Sequence, residues 1–397
     1  MSTNSIQTWL AIPHDPLVFR DGKPFTATPG ARATSVPFPF PSTLAGAVRT
    51  LSGATTNGGV FPADNEAVIQ QVLSYNLVGP FLFDVRRSEV LFPAPQDALL
   101  LRLDSHDEKQ AIRVALRPTK RFQSVQTNLA DGLRPVAPDT DTRTKRHPKS
   151  PAFWRWQEMR TWLQAPQEGM VTLSDLGVRP LPTDVRTHVS IQATSGTAEE
   201  GALFQTAGLT FVHVPGTEQS DGHAHQGQPR LAEAAELALV IQTDAPLQSH
   251  LGALGGERRL AAWKASDENM LPACPDEVRK AIKTTKRGRL ILVTPAHFKR
   301  GFLPTWVCEQ HPSGIKLRIA GAAVGRPVHV SGWDYKERAP KPTRRLAPTG
   351  SVYFFEIEEG DDAAIERFID EIWLGSISDD AQNRRDGFGV ALLGTWK

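Results

Sequence analysis

The chain has 397 residues, 40% hydrophobic and 22% charged, with a formal net charge of +2. That length fits two domains of ordinary size or one elaborated domain, and the charge excludes a polycation: any nucleic acid must be held by clustered charge, not by a global field. Two cysteines, Cys274 and Cys308, exclude a disulfide framework or a thiol metal knot and fit a reduced, cytoplasmic setting.

The opening "STNSIQT" carries no basic-then-apolar leader, and the longest apolar stretches, "LAEAAELALVI" and "GVALLG", are far short of a membrane span, so neither export nor membrane insertion is expected. "IQTWLAI" alternates and stops at Pro13, which predicts a first strand. "SVPFPFPSTLAGAVRTLSG" reads as an extended run feeding a helix, capped at Ser42 or Thr43, with Leu44, Ala47, Val48 and Leu51 on its apolar face and Gly53 at its end. "DNEAVIQQVLSY" predicts a second helix; "LVGPFLF", "EVLFP" and "ALLLRL" predict strands. From 113 to 149 the chain turns polar and basic, and its second part, about 131–150, lacks an apolar period and reads as a mobile loop.

"AFWRWQEMRTWLQ" resumes helical spacing, with Trp154 and Trp162 on one stripe; an exposed Trp156 would mark a protein contact. Strands follow at "RTHVSIQ", "ALFQTAGLTFVHV", "ELALVIQT", "RLILV", "IKLRIA", "RPVHV" and "SVYFFEIE". "DDAAIERFIDEIWLG" puts Ile365, Phe368, Ile369, Ile372 and Trp373 on one stripe with acids in the first turn. A glycine-rich loop and the strand "VALLG" come next, the way the second half of a βαββαβ ferredoxin-like fold closes. An α+β class is expected, with a first domain over 1–185 and a second over 186–397.

Gly387-Phe388-Gly389 can place backbone N–H groups around an anion, and Arg384 and Arg385 stand beside it. A G-x-G alone also serves as a bulge or a tight approach to a buried strand. The RNA-recognition signature is matched by the glycines and Phe388, but Asp386 occupies its basic position, and Val390 and Leu393 replace its later aromatics. Other basic loops are "FRDGK", "LGGERR", "IKTTKRGRLI" and "KPTRRLAPTGS"; on one face they would form a track for a nucleic-acid backbone. No HExxH, GxSxG, CxxC or phosphate-binding Gly-Lys-Ser/Thr loop is present. His223 and His225 fall in a Gly/His/Gln loop and make at most two ligands, and the acids Asp139 to Asp141 read as solvated; no metal or cofactor is expected. His14 and His188 are the acid–base candidates for a metal-independent endoribonuclease, the alternative function.

"DPLVFRDGKPF", "FPFPSTLAGAVRT", "HVSIQATSGTAEEGALF", "LGGERR", "KPTRRLAPTGSVYFFE" and "GFGVALLGTW" occur in order across nearly the whole chain. Together they resemble the Cmr subunit 3 family of type III-B CRISPR effector complexes, within the repeat-associated mysterious protein (RAMP) superfamily. The resemblance implies two ferredoxin-like (RRM-like) βαββαβ domains with long loop insertions, and a non-catalytic scaffold. It implies as partners the 5′ handle of the guide RNA, the large polymerase/cyclase-like subunit and the first backbone subunit of the filament, with no homo-oligomer. Carried over by motif, the RNA-facing candidates are Arg20, Lys23, Arg258, Arg259, Arg344, Arg345, Arg385, Gly387, Phe388 and Gly389.

Overall fold

The computed structural model of the chain describes residues 5–20, 32–33, 35–55, 59–62, 64–103, 108–121, 126–139, 143–213, 234–334 and 339–396. Among these the protein is a mixed α+β structure of several antiparallel sheets and eight helices. β1 (Gln7–Pro13), the helices α1 (Pro41–Thr55) and α2 (Glu66–Ser74), and the hairpin β2 (Leu77–Asp84) and β3 (Glu89–Pro93) come first. α2 starts where Asn65 caps it, the Oδ1 accepting from the N–H groups of Ala67 (3.1 Å) and Val68 (3.3 Å). α1 starts one residue before the expected caps, and it runs two residues past Gly53.

An excursion follows: β4 (Ala98–Arg102), β5 (Gln110–Ala115), β6 (Phe153–Arg155), α3 (Trp156–Gln164), β7 (Gly169–Thr172), β8 (Gly177–Val178) and the long hairpin β9 (Thr183–Ile191) with β10 (Ala198–Leu209). Then β11 (Ala235–Thr243), β12 (His250–Ala253) and β13 (Leu260–Ser266) return to the first sheet. That sheet runs β8-β6-β3-β2-β11-β1-β13-β12, with Val212–His213 beside β11. Its heart is β2-β11-β1-β13, antiparallel throughout, with Leu10 opposite Val240 and Ala11 opposite Trp263. The expected boundary at 185/186 falls inside β9, and the first sheet takes strands from both sides of it. Alternation shows where strands are; it does not show which of them pair across so long an excursion.

The second sheet is built from β14 (Arg287–Leu292), which follows α4 (Asp276–Thr285), then β15 (Lys316–Ala323), β16 (Val352–Glu359) and, after α5 (Asp362–Ile372) and α6 (Ala381–Arg385), β17 (Ala391–Gly394). Its order is β15-β16-β14-β17, again antiparallel. Both four-strand hearts therefore share one spatial order: second, third, first, fourth. α5 carries the expected stripe, with Ile365, Phe368, Ile369 and Ile372 buried, and Asp361 caps it by accepting from the Ala364 N–H at 2.6 Å.

Period-two patterning divides the first sheet between two cores. Leu82, Leu91, Leu239 and Ile241 face Leu44 and Val48 of α1. Phe81, Phe83, Val90 and Phe92 join a second core that continues into the second sheet. Each such side chain contributes about 1.5–3 kcal/mol when fully buried. Spacing puts Trp154 and Trp162 on one helical stripe, but the two do not share a helix: Trp154 lies on β6, and the rings meet edge-on at 5.9 Å. Trp156 packs edge-on against Phe92 and Trp373 within the fold.

A buried charged joint fastens the excursion to the second sheet. Asp97 and Arg289 are each 1% exposed and bonded carboxylate to guanidinium. Arg289 also donates to the carbonyls of Thr395 (2.6 Å) and Trp162 (2.7 Å), and Trp162 Nε1 donates to Asp97 at 3.0 Å. Residues 131–150, read from the sequence as a mobile loop, are pinned where described. The Arg134 N–H donates to Ala320 on the edge of β15 (2.8 Å), and the His147 N–H donates to Leu100 on β4 (2.8 Å). Strand-edge carbonyls hold this segment, a kind of bond that leaves no apolar period in a sequence.

Candidate nucleic-acid interface

Two of the basic loops meet at one corner of the first sheet. The backbone of Val18 bridges Gly256, whose N–H donates to the Val18 carbonyl at 2.7 Å, and Arg20 bridges Ser35. A Cβ on Gly255 would stand 2.6 Å from that same carbonyl, so only glycine permits the approach. The turn that follows is tight: Glu257 (φ +56°) and Arg258 (φ +51°) both sit in the left-handed region, a conformation that is sterically unfavourable for side-chain-bearing residues. Arg20 pairs with the Glu257 carboxylate. Arg258 points outward with no polar partner among the described residues, and Arg259 is half-buried with its Nε unbonded there. Lys23 lies outside the described residues, as do His223 and His225.

The glycine-rich loop corrects the expectation built on it. The amides of Gly387, Phe388 and Gly389 are not free for an anion: they donate to the carbonyls of Arg384 (3.1 Å), Asn383 (2.9 Å) and Pro295 (2.9 Å). Phe388 is fully buried, packed with Val330, Leu346, Phe40 and Val328, so its ring is not presented to a base. Both glycines have φ +87°. A Cβ on Gly387 would stand 2.8 and 2.9 Å from the carbonyls of Gly79 and Leu77, and one on Gly389 would stand 2.7 Å from Ser378. Close packing of the two halves requires Gly387, and the turn onto Ser378 within the second half requires Gly389.

What the loop positions is arginine. Arg344 lays its guanidinium over the Phe388 ring at 5.1 Å and donates to the Asn383 side chain. Its neighbour Arg345 and, at the end of α6, Arg385 are exposed with no polar partner among the described residues. Arg384 turns the other way: it covers the Trp306 ring at 4.0 Å and donates to the carbonyls of Ser378 and Asp379. Asp386, which stands in the basic position of the RNA signature, pairs with Arg49 of α1 at 2.6 Å, and Arg49 also donates to the Val72 carbonyl of α2. The sequence carries one sign of α6, the Asp380 cap, whose carboxylate accepts from the Asn383 N–H at 2.9 Å.

The two arginine corners are joined by residues 35–40. Val36 donates to the Phe19 carbonyl (2.8 Å) at one end, and Phe40 packs on the Phe388 cluster at the other. Five residues of extended chain span at most about 18 Å. Other basic stretches are neutralised in place: Lys283 pairs with Glu366, Lys286 with Asp362, Arg287 with Glu356 and Arg117 with Asp139. His14 is exposed, whereas His188 stacks on Phe204 and bonds the Thr206 hydroxyl at 2.9 Å. Burial pushes both thiols, Cys274 and Cys308, up to about 12, which leaves them protonated and poorly nucleophilic.

A model of the family described as CRISPR-associated protein (Cas_Cmr3) matches residues 9–396. No curated protein matches the chain. One similar solved structure is a chain of the type III-B Cmr-β complex bound to cognate target RNA and AMPPnP, at 16% identity over 96% of this chain and 95% of that one, TM-score 0.45. Another is from the same complex with cognate target RNA, at 15% identity over 88% and 86%, TM-score 0.44. A third is from the Csm3–Csm4 subcomplex of the type III-A interference complex, at 11% identity over 98% and 99%, TM-score 0.35. The extent of the family match, from the first strand to the last, makes the conclusion plain: the chain belongs to the Cas_Cmr3 family of CRISPR-associated proteins.

Proposed function

We propose that the protein is a non-catalytic RNA-binding scaffold subunit of a type III-B CRISPR effector complex, working in the cytoplasm. In this reading it holds the 5′ handle of the guide RNA and docks the large polymerase/cyclase-like subunit and the first backbone subunit. The two four-strand hearts of matching order are then two ferredoxin-like units. The observation that carries the reading is the set of outward arginines, Arg258, Arg345 and Arg385, that have no polar partner among the described residues and stand at two corners joined by residues 35–40. Guanidinium groups that the fold leaves unpaired suit phosphate oxygens, which they grip bidentately. Gly387 to Gly389 contribute by seating the loop rather than by touching RNA.

The test is crosslinking of the handle to this subunit inside its assembled complex, with charge reversal at Arg258, Arg345 and Arg385. Loss of handle crosslinks and of retained guide RNA is expected. Unchanged retention would leave a protein–protein adaptor. Metal-free, site-specific cleavage of repeat RNA that disappears on substituting His14 or His188 would replace the scaffold by an endoribonuclease.

A further inference from the structure

Between β14 and β15 the chain makes a tight excursion, "HFKRGFL" at 297–303, that no motif singled out. It folds back on itself through backbone bridges between Phe298 and Gly301 and between Arg300 and Leu303, with Gly301 at φ +78°. Its base is fastened twice. Phe298 is buried edge-on against Tyr353 at 5.9 Å. The Asp379 carboxylate accepts from the N–H groups of Lys299 (2.8 Å), Thr305 (3.0 Å) and Trp306 (2.8 Å), and the Asp379 N–H donates to the His297 carbonyl. Hydrogen bonds to a carboxylate are the stronger kind, so the tip is held in one shape.

What that shape presents is a ring between cations. Phe302 is 38% exposed, Lys299 is exposed, and the Arg300 side chain is 67% exposed and pairs at 3.3 Å with Glu309, itself exposed, so a phosphate can replace that partner. Asp379 directly precedes Asp380, the cap of α6, and Arg385 at the far end of that helix lies about 9 Å along its axis. The base of the tip is therefore fastened to the segment that leads into α6 and Arg385. A preorganised aromatic flanked by positive charge matches single-stranded nucleic acid, whose bases stack on rings while cations follow the phosphates.

We propose that the 297–303 tip is a contact for single-stranded RNA: Phe302 stacks on a base, Lys299 and Arg300 neutralise the flanking phosphates, and Asp379 is the positioning residue. This rests on the RNA-binding reading above and adds a site to it.

The experiment uses the full chain at low salt with single-stranded repeat RNA carrying 2-aminopurine, read by anisotropy and by fluorescence quenching. Phe302→Ala is expected to weaken binding about 5- to 100-fold and abolish the quenching, and Phe302→Trp to retain both. Lys299→Glu and Arg300→Glu should each flatten the salt dependence of log K by about 0.7. Asp379→Asn should weaken binding, yet add nothing on top of Phe302→Ala, the signature of acting through that ring. The exposed substitutions leave the melting temperature in place, so misfolding does not mimic the result. If Phe302→Ala binds like the parent while Arg258→Glu, Arg345→Glu and Arg385→Glu still weaken RNA, the tip contact is wrong and the scaffold reading survives. If none of these weakens RNA, both fall. If Phe302→Ala spares RNA affinity but releases neighbouring subunits on purification, the tip meets protein, and the proposal is overturned.

Discussion

The two four-strand hearts share an order but keep opposite helices. In the first, α1 and α2 fill the crossover from β1 to β2, and only the short β12 lies between β11 and β13. In the second, the stretch between β14 and β15 holds the one-turn helix Trp306–Glu309, while α5 fills the crossover from β16 to β17. Each half leaves one crossover without a long helix, and each such crossover carries one basic loop: "GGERR" between β12 and β13, "HFKRGF" between β14 and β15. A sheet needs covering to stay buried, but strand order alone does not demand a helix at every crossover. Where the helix is missing, loop backbone is free to carry charge outward.

This comparison can be broken at the joint between the halves. Asp97→Ala leaves Arg289 charged and buried without its carboxylate, and a loss of about 3–5 kcal/mol is expected in chemical denaturation. Asp97→Asn should lose less, since the Trp162 N–H keeps an acceptor. Gly387→Ala tests the packing role of the glycine-rich loop: a left-handed backbone and carbonyls under 3 Å predict a loss of about 2–3 kcal/mol. A neutral effect there would mean the halves do not pack on this loop.

The second half also contains a pH-dependent weak point. Burial, with Arg384 adding to it, pushes His311 down to about 4, so its ring stays neutral against Trp306 and Phe368. The unfolded chain takes up a proton near pH 6.5 that the folded one refuses. Stability is therefore full above that pH and declines as pH falls toward about 4, by about 2 kcal/mol between pH 7.5 and pH 5. Denaturation midpoints of parent and His311→Phe across that window read this directly, and the variant should lose the slope. The smallest effect is the finest comparison of the two arginine corners. Arg258→Gln and Arg345→Gln should each reduce the salt slope of single-stranded RNA binding by about 0.7, and together by the sum if both corners touch one strand.

Strands such as "LVGPFLF" and "SVYFFEIE" and the α5 stripe were legible because burial on one face writes a period into the residues. The pairing of β11 and β13 with β1 was not, because register between distant strands leaves no local trace. G-x-G announced a special backbone at 387–389 correctly, but the letters are the same whether the neighbour is a phosphate or the carbonyls of Leu77 and Gly79. Arg345 and Arg385 are candidates through the family motifs they stand in, yet "KTTKRGR" clusters its basic residues as strongly and each is paired: Lys283, Lys286 and Arg287 with acids on α5 and β16, and Arg289 with Asp97. Which arginines remain unpaired is a property of the folded surface.

β1 sits between β11 and β13 and bonds to no other strand of its sheet. On a ribosome adding roughly 5–20 residues per second, the first strand waits on the order of 10–40 seconds before either neighbour exists. Until then its apolar face, Trp9 and Ala11, depends on chaperones or on α1 for shelter. Refolding should accordingly be slow and sensitive to protein concentration, as for any topology whose first contacts are its most distant in sequence.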